Sequence, residues 1–258
     1  MILARLTTRW SRPGQPGVGF RAILVLAGRA AHLEAVRRRS AAPEEDPMPQ
    51  AFLLIVIALP LTLIVLHTLL RILRHFYKFP MPQFLANAID NPLRRRIQPP
   101  LDMPRRHGIR PGMTVLEVGP GNGRYTVETA RAVGATGKVI AVDIEPKMIE
   151  RVSRRARAEG IANLEARTAN VHNLPFPEAS FDAVCMIAVI SEIPQPQLAF
   201  IEFHRVLKQK GILAFSELLT DPDYPLARTL IRKARAAKFH LKKRLGSFFA
   251  YTLVFEKD

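Results

Sequence analysis

Glu117 sits in the apolar run Val115-Leu116-Glu117-Val118, which turns abruptly into Gly119-Pro120-Gly121-Asn122-Gly123. Such a run followed by alternating glycines reads as a buried strand feeding a tight loop, because residues without a Cβ let the backbone reverse and approach a ligand closely. About 20 residues past the last glycine, Val139-Ile140-Ala141-Val142 is a second apolar run, ending in Asp143-Ile144, where a nucleotide-binding α/β fold puts the carboxylate that accepts from ribose hydroxyls. Each piece alone is commonplace: a glycine-rich turn is usually just a turn, and an Asp after a strand is usually a helix cap. Together, at this spacing, they point to a nucleoside-bearing cofactor.

The third glycine of a dinucleotide loop would fall at Arg124, so the spacing here is G-x-G-x-G rather than G-x-G-x-x-G. With Glu117 two residues ahead of the first glycine, the stretch resembles motif I of the class I S-adenosylmethionine-dependent methyltransferases, in particular the type 11, UbiE-like domains. The resemblance implies that S-adenosylmethionine is the cofactor. Gly119, Pro120, Gly121 and Gly123 would then pass under its methionine part and Glu117 would help hold its amino group. It also implies that Asp143 takes the ribose and Ile144 neighbours the adenine.

Further along, Leu164 to Thr168 suits a third strand and is followed by Ala169-Asn170-Val171-His172-Asn173-Leu174-Pro175-Phe176. In the family an Asp four residues before Leu-Pro-Phe accepts from the adenine amino group; here Asn170 stands there, and its amide oxygen also accepts, without charge. Val171 belongs to the same loop. Phe181 to Ile187 reads as the fourth strand, with Ile187 at the end that the resemblance turns toward the cofactor. Ser191-Glu192 replaces the paired histidines frequent in relatives. Lys210 replaces a usual glycine before a fifth strand at Gly211 to Glu217.

These elements must be held by a sheet. The implied architecture is α/β: a Rossmann-like, seven-stranded class I methyltransferase sheet of order 3-2-1-4-5-7-6, its last strand antiparallel, preceded by an N-terminal transmembrane helix. The tail agrees, since one helix is followed by Phe239 to Leu245 and Phe248 to Phe255 as a hairpin turning at Gly246-Ser247. A base is needed only if the methyl acceptor loses a proton as it attacks, and Glu192, Glu217 and His172 are the titratable groups that this topology brings near the cofactor face. Each is more often a cap, a surface acid or a loop residue.

The single cysteine, Cys185, excludes a disulfide framework and a multi-cysteine metal site, and no metal is expected. A net charge of +16 implies an acidic partner surface, nucleic acid or anionic lipid. Residues 51 to 70 contain no Asp, Glu, Lys or Arg and match the roughly 20 residues that cross a bilayer core. A core helix or a signal-peptide core is the bland reading of such a run. Four segments follow: a basic, poorly ordered extension over 1–47, the transmembrane helix over 51–70, a basic aromatic juxtamembrane connector over 71–100, and the methyltransferase domain over 101–258. The extension could equally be an Arg-rich presequence, or a stretch upstream of a true start at Met48.

Cations after residue 70, among them Arg71, Arg74 and Arg94-Arg95-Arg96, set that side and the catalytic domain as cytoplasmic. Phe76, Tyr77, Phe79, Phe84 and Leu85 interleave with them as in a segment lying among headgroups. The expected reaction is methyl transfer to a small, lipophilic or amphipathic acceptor, a quinone precursor or a lipid-like molecule, at the membrane. Nucleic acid is not expected. The alternatives are a methyltransferase or binder that meets RNA or protein through basic residues such as Arg228, Arg232 and Lys243, and a tethered scaffold without catalysis.

Overall fold

The computed structural model describes residues 18–40, 47–76 and 91–258. The chain divides into two compact units, Met1–Leu61 and Thr62–Asp258. In the segment expected to be poorly ordered, Val18–Ser40 forms a helix, α1. Its Ala, Leu and Arg content favours helix, while its described side chains are exposed, so propensity rather than packing supports it.

Helix α2, Pro47–Phe76, runs on through Pro60. Within it, Phe52–Leu73 is 22 residues long and not buried by the protein. At about 1.5 Å per residue that stretch covers the roughly 30 Å of a hydrocarbon core. It is therefore long and apolar enough to cross a membrane. The aromatic connector from Tyr77 to Asp90 lies outside the described residues.

The second unit carries a seven-stranded sheet in the expected order 3-2-1-4-5-7-6. Its strands are β1 (Thr114–Val118), β2 (Lys138–Asp143), β3 (Leu164–Thr168), β4 (Phe181–Ile187), β5 (Leu207–Leu218), β6 (Phe239–Gly246) and β7 (Ala250–Lys257). Strands β1 to β5 are parallel; β7 pairs antiparallel with both β5 and β6. Alternation along the strands feeds two cores, as a period of two requires. Leu116, Val184, Leu213 and Phe255 pack on one face with Phe200 and Phe203 of α7 (Pro196–Val206) and Leu230 of α8 (Ala227–Ala236). Val115, Val139, Cys185 and Val254 pack on the other with Ala130 and Val133 of α5 (Arg124–Val133).

Two boundaries differ from expectation. Strand β5 is assigned from Leu207, but its regular ladder with β4 begins at Ile212 after a register shift. Lys210 lies in the irregular part at φ 59°, so the left-handed backbone that glycine adopts without cost is taken by a lysine. The compact unit that holds the sheet also takes in residues before 101. Asn91 caps α3 (Pro92–Ile97) by accepting from the Arg94 amide at 2.9 Å. Pro100–Asp102 and α4 (Met103–Arg106) follow, and the segment docks on the open end of the sheet.

Candidate active site

The site lies where the strand order reverses, at the carboxyl ends of β1, β2 and β4, as open α/β sheets place it. Glu117 is held in mid-sheet between two small neighbours, Ala141 on β2 and Cys185 on β4. Thr126, in the first turn of α5, donates to Glu117 Oε1 at 3.0 Å, while Oε2 is buried with no partner. Burial pushes this carboxyl up to about 7, against the Thr126 hydrogen bond that favours the charged form.

After Val118 the loop turns through Gly119, Gly121 and Gly123, all with positive φ. A Cβ on Gly119 would strike Val189 Cγ2 at 2.5 Å, so this glycine lets the β4 loop approach. A Cβ on Gly121 would meet no protein atom within 4 Å. Gly123 caps α5 and would press Val152 Cα at 3.3 Å; it serves the contact with helix α6 (Pro146–Ala158) and does not line the cavity.

One cavity of about 630 Å³ is lined by every other residue expected at the site. Glu117, Gly119, Pro120 and Gly121 form its floor over β1, while Asp143 and Ile144 follow β2. Asn170, Val171 and His172 follow β3, and Ile187 ends β4. Glu192 and Glu217 close the far side. Asp143 accepts from the Glu145 amide at 2.9 Å through Oδ1; burial raises its pKa, partly countered by that bond. Asn170 Oδ1 accepts from the His172 amide at 2.9 Å, which fixes the loop and leaves that oxygen a second lone pair. His172 Nε2 lies 2.7 Å from the Pro194 carbonyl. A carbonyl only accepts, so Nε2 carries the proton and only Nδ1 could act as a base.

The side beyond β4 is acidic and was only partly foreseen. Glu217 is 2 % exposed, its Oε1 has no partner, and its backbone carbonyl accepts from Gln98 Nε2 at 3.2 Å. Burial, then Asp221, lift its carboxyl well above the usual range, while Arg94 pulls the other way. Asp221, Asp223 and Arg94 line the same end of the cavity. Tyr125 donates to the Gln98 carbonyl at 3.0 Å and also lines it. Sequence reasoning missed Arg94, Tyr125, Asp221 and Asp223; Arg94 is one of three adjacent arginines, with nothing local to mark it as the buried one. Beneath Glu217, His107 contacts Ser216 Oγ at 2.8 Å and Ser216 contacts Thr252 at 2.8 Å. Burial pushes His107 down to about 3, so it stays neutral and structural. Among the described residues no cluster could hold a metal ion.

The family model described as "Methyltransferase domain" matches residues 109–250. The chain is 34% identical over 144 residues to the ubiquinone/menaquinone biosynthesis C-methyltransferase UbiE of Escherichia fergusonii, covering 55% of this chain and 56% of that protein. The corresponding protein of Salmonella newport is 35% identical over the same length and coverage. The chain thus spans a little over half the length of these relatives. Among solved structures, a SAM dependent methyltransferase from Aquifex aeolicus superposes with a TM-score of 0.65 at 21% identity, covering 69% of this chain and 100% of that one. The [4+2]-cyclase SpnF superposes at 0.54 and 20% identity over 61% of this chain and 79% of its own. At such identities the likeness shows the fold, and a cyclase among the neighbours means that fold alone does not fix the reaction.

Proposed function

Because the chain belongs to the methyltransferase-domain family, with S-adenosylmethionine as its cofactor, we propose that it methylates a lipophilic acceptor bearing a ring oxygen, such as a quinone precursor, while α2 anchors it in a membrane. The observation that carries this reading is the continuity of one cavity from the Asp143 side, past the glycine loop, to the buried carboxyl of Glu217. The cofactor brings an electrophilic methyl group on a sulfonium, and its transfer is an in-line displacement that alignment can largely drive.

The residues suit that group. The unpartnered Oε2 of Glu117 is an acceptor for its amino group, Asp143 Oδ2 for its ribose, and Asn170 for its adenine amino group. The acceptor would lie over β4 and β5. There Glu217, when ionised, would take the hydroxyl proton of the acceptor as the oxygen attacks the methyl carbon and the methyl–sulfur bond breaks. A carboxyl raised well above its ordinary value moves toward the pKa of a phenol, about 10, which makes that exchange less uphill.

The acids at this end also bear on the acceptor class. Glu192, Glu217, Asp221 and Asp223 line it, and Arg94, which lines it too, is engaged by Asp221. An RNA or phosphate-bearing acceptor fits poorly against them, whereas an uncharged ring with hydroxyl groups fits. The relatives named for ubiquinone and menaquinone biosynthesis support the same class.

The test is transfer of labelled methyl from S-adenosylmethionine by the full chain in vesicles made from extracted membrane lipid. The expected product partitions into organic solvent and is a methylated hydroxy-aromatic lipid. Label found only in water-soluble metabolites or in RNA would overturn the acceptor while leaving the methyltransferase intact.

A further inference from the structure

We propose that the β6–β7 turn is a second membrane contact, with Phe248 and Phe249 entering the lipid interface beside the end of α2 and holding the acceptor end of the cavity against the bilayer. This rests on the reading of α2 as a membrane span.

Phe248 and Phe249 are 55% and 66% exposed at the tip of a tight turn. The turn is rigidly built. The Ser247 amide donates to the Ala250 carbonyl at 2.8 Å and the Phe249 amide to Ser247 Oγ at 3.2 Å. Gly246 has φ +87°, and a Cβ there would overlap the Ala250 carbonyl oxygen at 2.2 Å. The two rings meet edge to face at 5.8 Å, and neither is part of the buried core. Leu226, 37% exposed, begins α8 nearby, and Lys242, Lys243 and Arg244 lead into the turn. Aromatic rings flanked by cations, without an acid in the turn, match the headgroup region of an anionic bilayer.

Its level relative to a membrane is set by Arg71. That residue lies two positions before the end of the stretch Phe52–Leu73, where a span leaves the hydrocarbon. Its guanidinium donates to the Tyr224 carbonyl at 3.3 Å and stands 6.0 Å from the Tyr224 ring centre. The Tyr224 ring in turn meets Phe248 edge to face at 6.0 Å, and its hydroxyl donates to the Phe248 carbonyl. Arg244 acts electrostatically on Tyr224 together with Arg71. The turn therefore shares the level of the helix end.

The same tip is bonded to the wall of the cavity. The Leu219 amide donates to the Phe249 carbonyl at 2.8 Å, and Tyr251 donates to the Pro225 carbonyl at 2.5 Å. Between Leu219 and Pro225 lie Asp221, Pro222 and Asp223, which line the acceptor end. A lipophilic acceptor leaving the bilayer at this turn meets the cavity without crossing water.

The test uses the full chain in vesicles of phosphatidylcholine and phosphatidylglycerol, with the phosphatidylcholine brominated near the top of its acyl chains. The only native tryptophan, Trp10, is replaced by Phe, and a reporter is introduced as Phe249→Trp or, as control, Glu150→Trp on α6 beside β3 at the opposite sheet edge. Rings that enter about 5–10 Å into the interface should shift Phe249→Trp emission to the blue and lose roughly half of it to bromine, with the control unchanged. A thermal shift with S-adenosylmethionine shows that each variant is folded. Vesicle-bound protein with unquenched Phe249→Trp overturns the turn contact alone. Protein that does not float with vesicles overturns the span reading and this contact together. A blue shift that follows protein concentration, without quenching, assigns the tip to a second copy of the chain and overturns the proposal.

Discussion

Arg94 and Asp221, 127 residues apart, form a bidentate ion pair at 2.9 and 3.2 Å with side chains only 5% and 15% exposed. Burial works against the Arg94 charge, but Asp221 and Tyr125 more than offset it, so the guanidinium remains charged. The pair joins α3 to the loop after β5 and so closes the Glu217 end of the cavity with a segment that precedes the first strand.

Arg94→Ala leaves Asp221 buried without its counter-charge and should cost about 3–5 kcal/mol, while replacing both partners with apolar residues should cost less. Arg94→Lys keeps the charge but not the two-pronged geometry, so it should recover only part of the loss. Denaturant titration of the four proteins measures this. A fragment beginning at residue 101 carries the same defect as Arg94→Ala, and one beginning at residue 91 does not. Equal midpoints for the two fragments would show that α3 is dispensable.

For Glu117 the direction follows from a carboxyl at about 7 in the fold against an ordinary 4.5. A raised value means that its contribution to stability is fully present below 4.5 and is lost as pH rises through 7. The difference amounts to roughly 3 kcal/mol at about 1.4 kcal/mol per pKa unit. Glu117→Gln should remove that slope from a melting curve series. In the native protein an incoming ammonium group favours the carboxylate, so cofactor binding at pH 6 should release a proton, detectable by calorimetry in buffers of different ionisation enthalpy. Identical heats in all buffers would count against Glu117 as the amino-group acceptor.

Glu217 must be ionised to accept a proton, and burial keeps it neutral beyond the ordinary carboxylate range. Turnover should therefore rise with pH through its raised pKa. Glu217→Gln should flatten that limb and lower kcat by about 10²–10⁴ with cofactor affinity unchanged. A pH profile of the same shape in the variant would move the base elsewhere.

Gly121→Val sets a side chain where no protein atom lies within 4 Å, at backbone φ +56°. Cofactor affinity should fall in this variant. Asp143→Ala removes the proposed ribose acceptor and should cost about 1–3 kcal/mol of binding if a donor is left unpaired. Unchanged dissociation constants in both would contradict the placement of the cofactor.

What the sequence made legible was local. Gly119, Gly121 and Asp143 announce themselves because turn chemistry and strand period act over a few residues, and the order of the sheet came with the family resemblance. The Glu217 end of the cavity was illegible because its bonds are long-range. Gln98 reaches Glu217 across 119 positions, and only the packing of α3 decides that Arg94 turns inward while Arg95 and Arg96 stay exposed. Gly123 fits the local motif, and a second task of it was not legible there: its missing Cβ admits α6.

The 2.5 Å meeting of a Gly119 Cβ with Val189 imposes an order on mutational history. Alanine at 119 is closed while valine stands at 189, but after Val189→Ala the overlap with the methyl groups is gone, and what stands against it is a tight 3.2 Å approach to the Cβ of residue 189 and the left-handed backbone, the latter about 1–2 kcal/mol. The two changes are permissive in one sequence only, with position 189 first. Lineages of this fold that have lost the first glycine should therefore carry a smaller residue after their fourth strand, a dependence between two loops that no single substitution reveals.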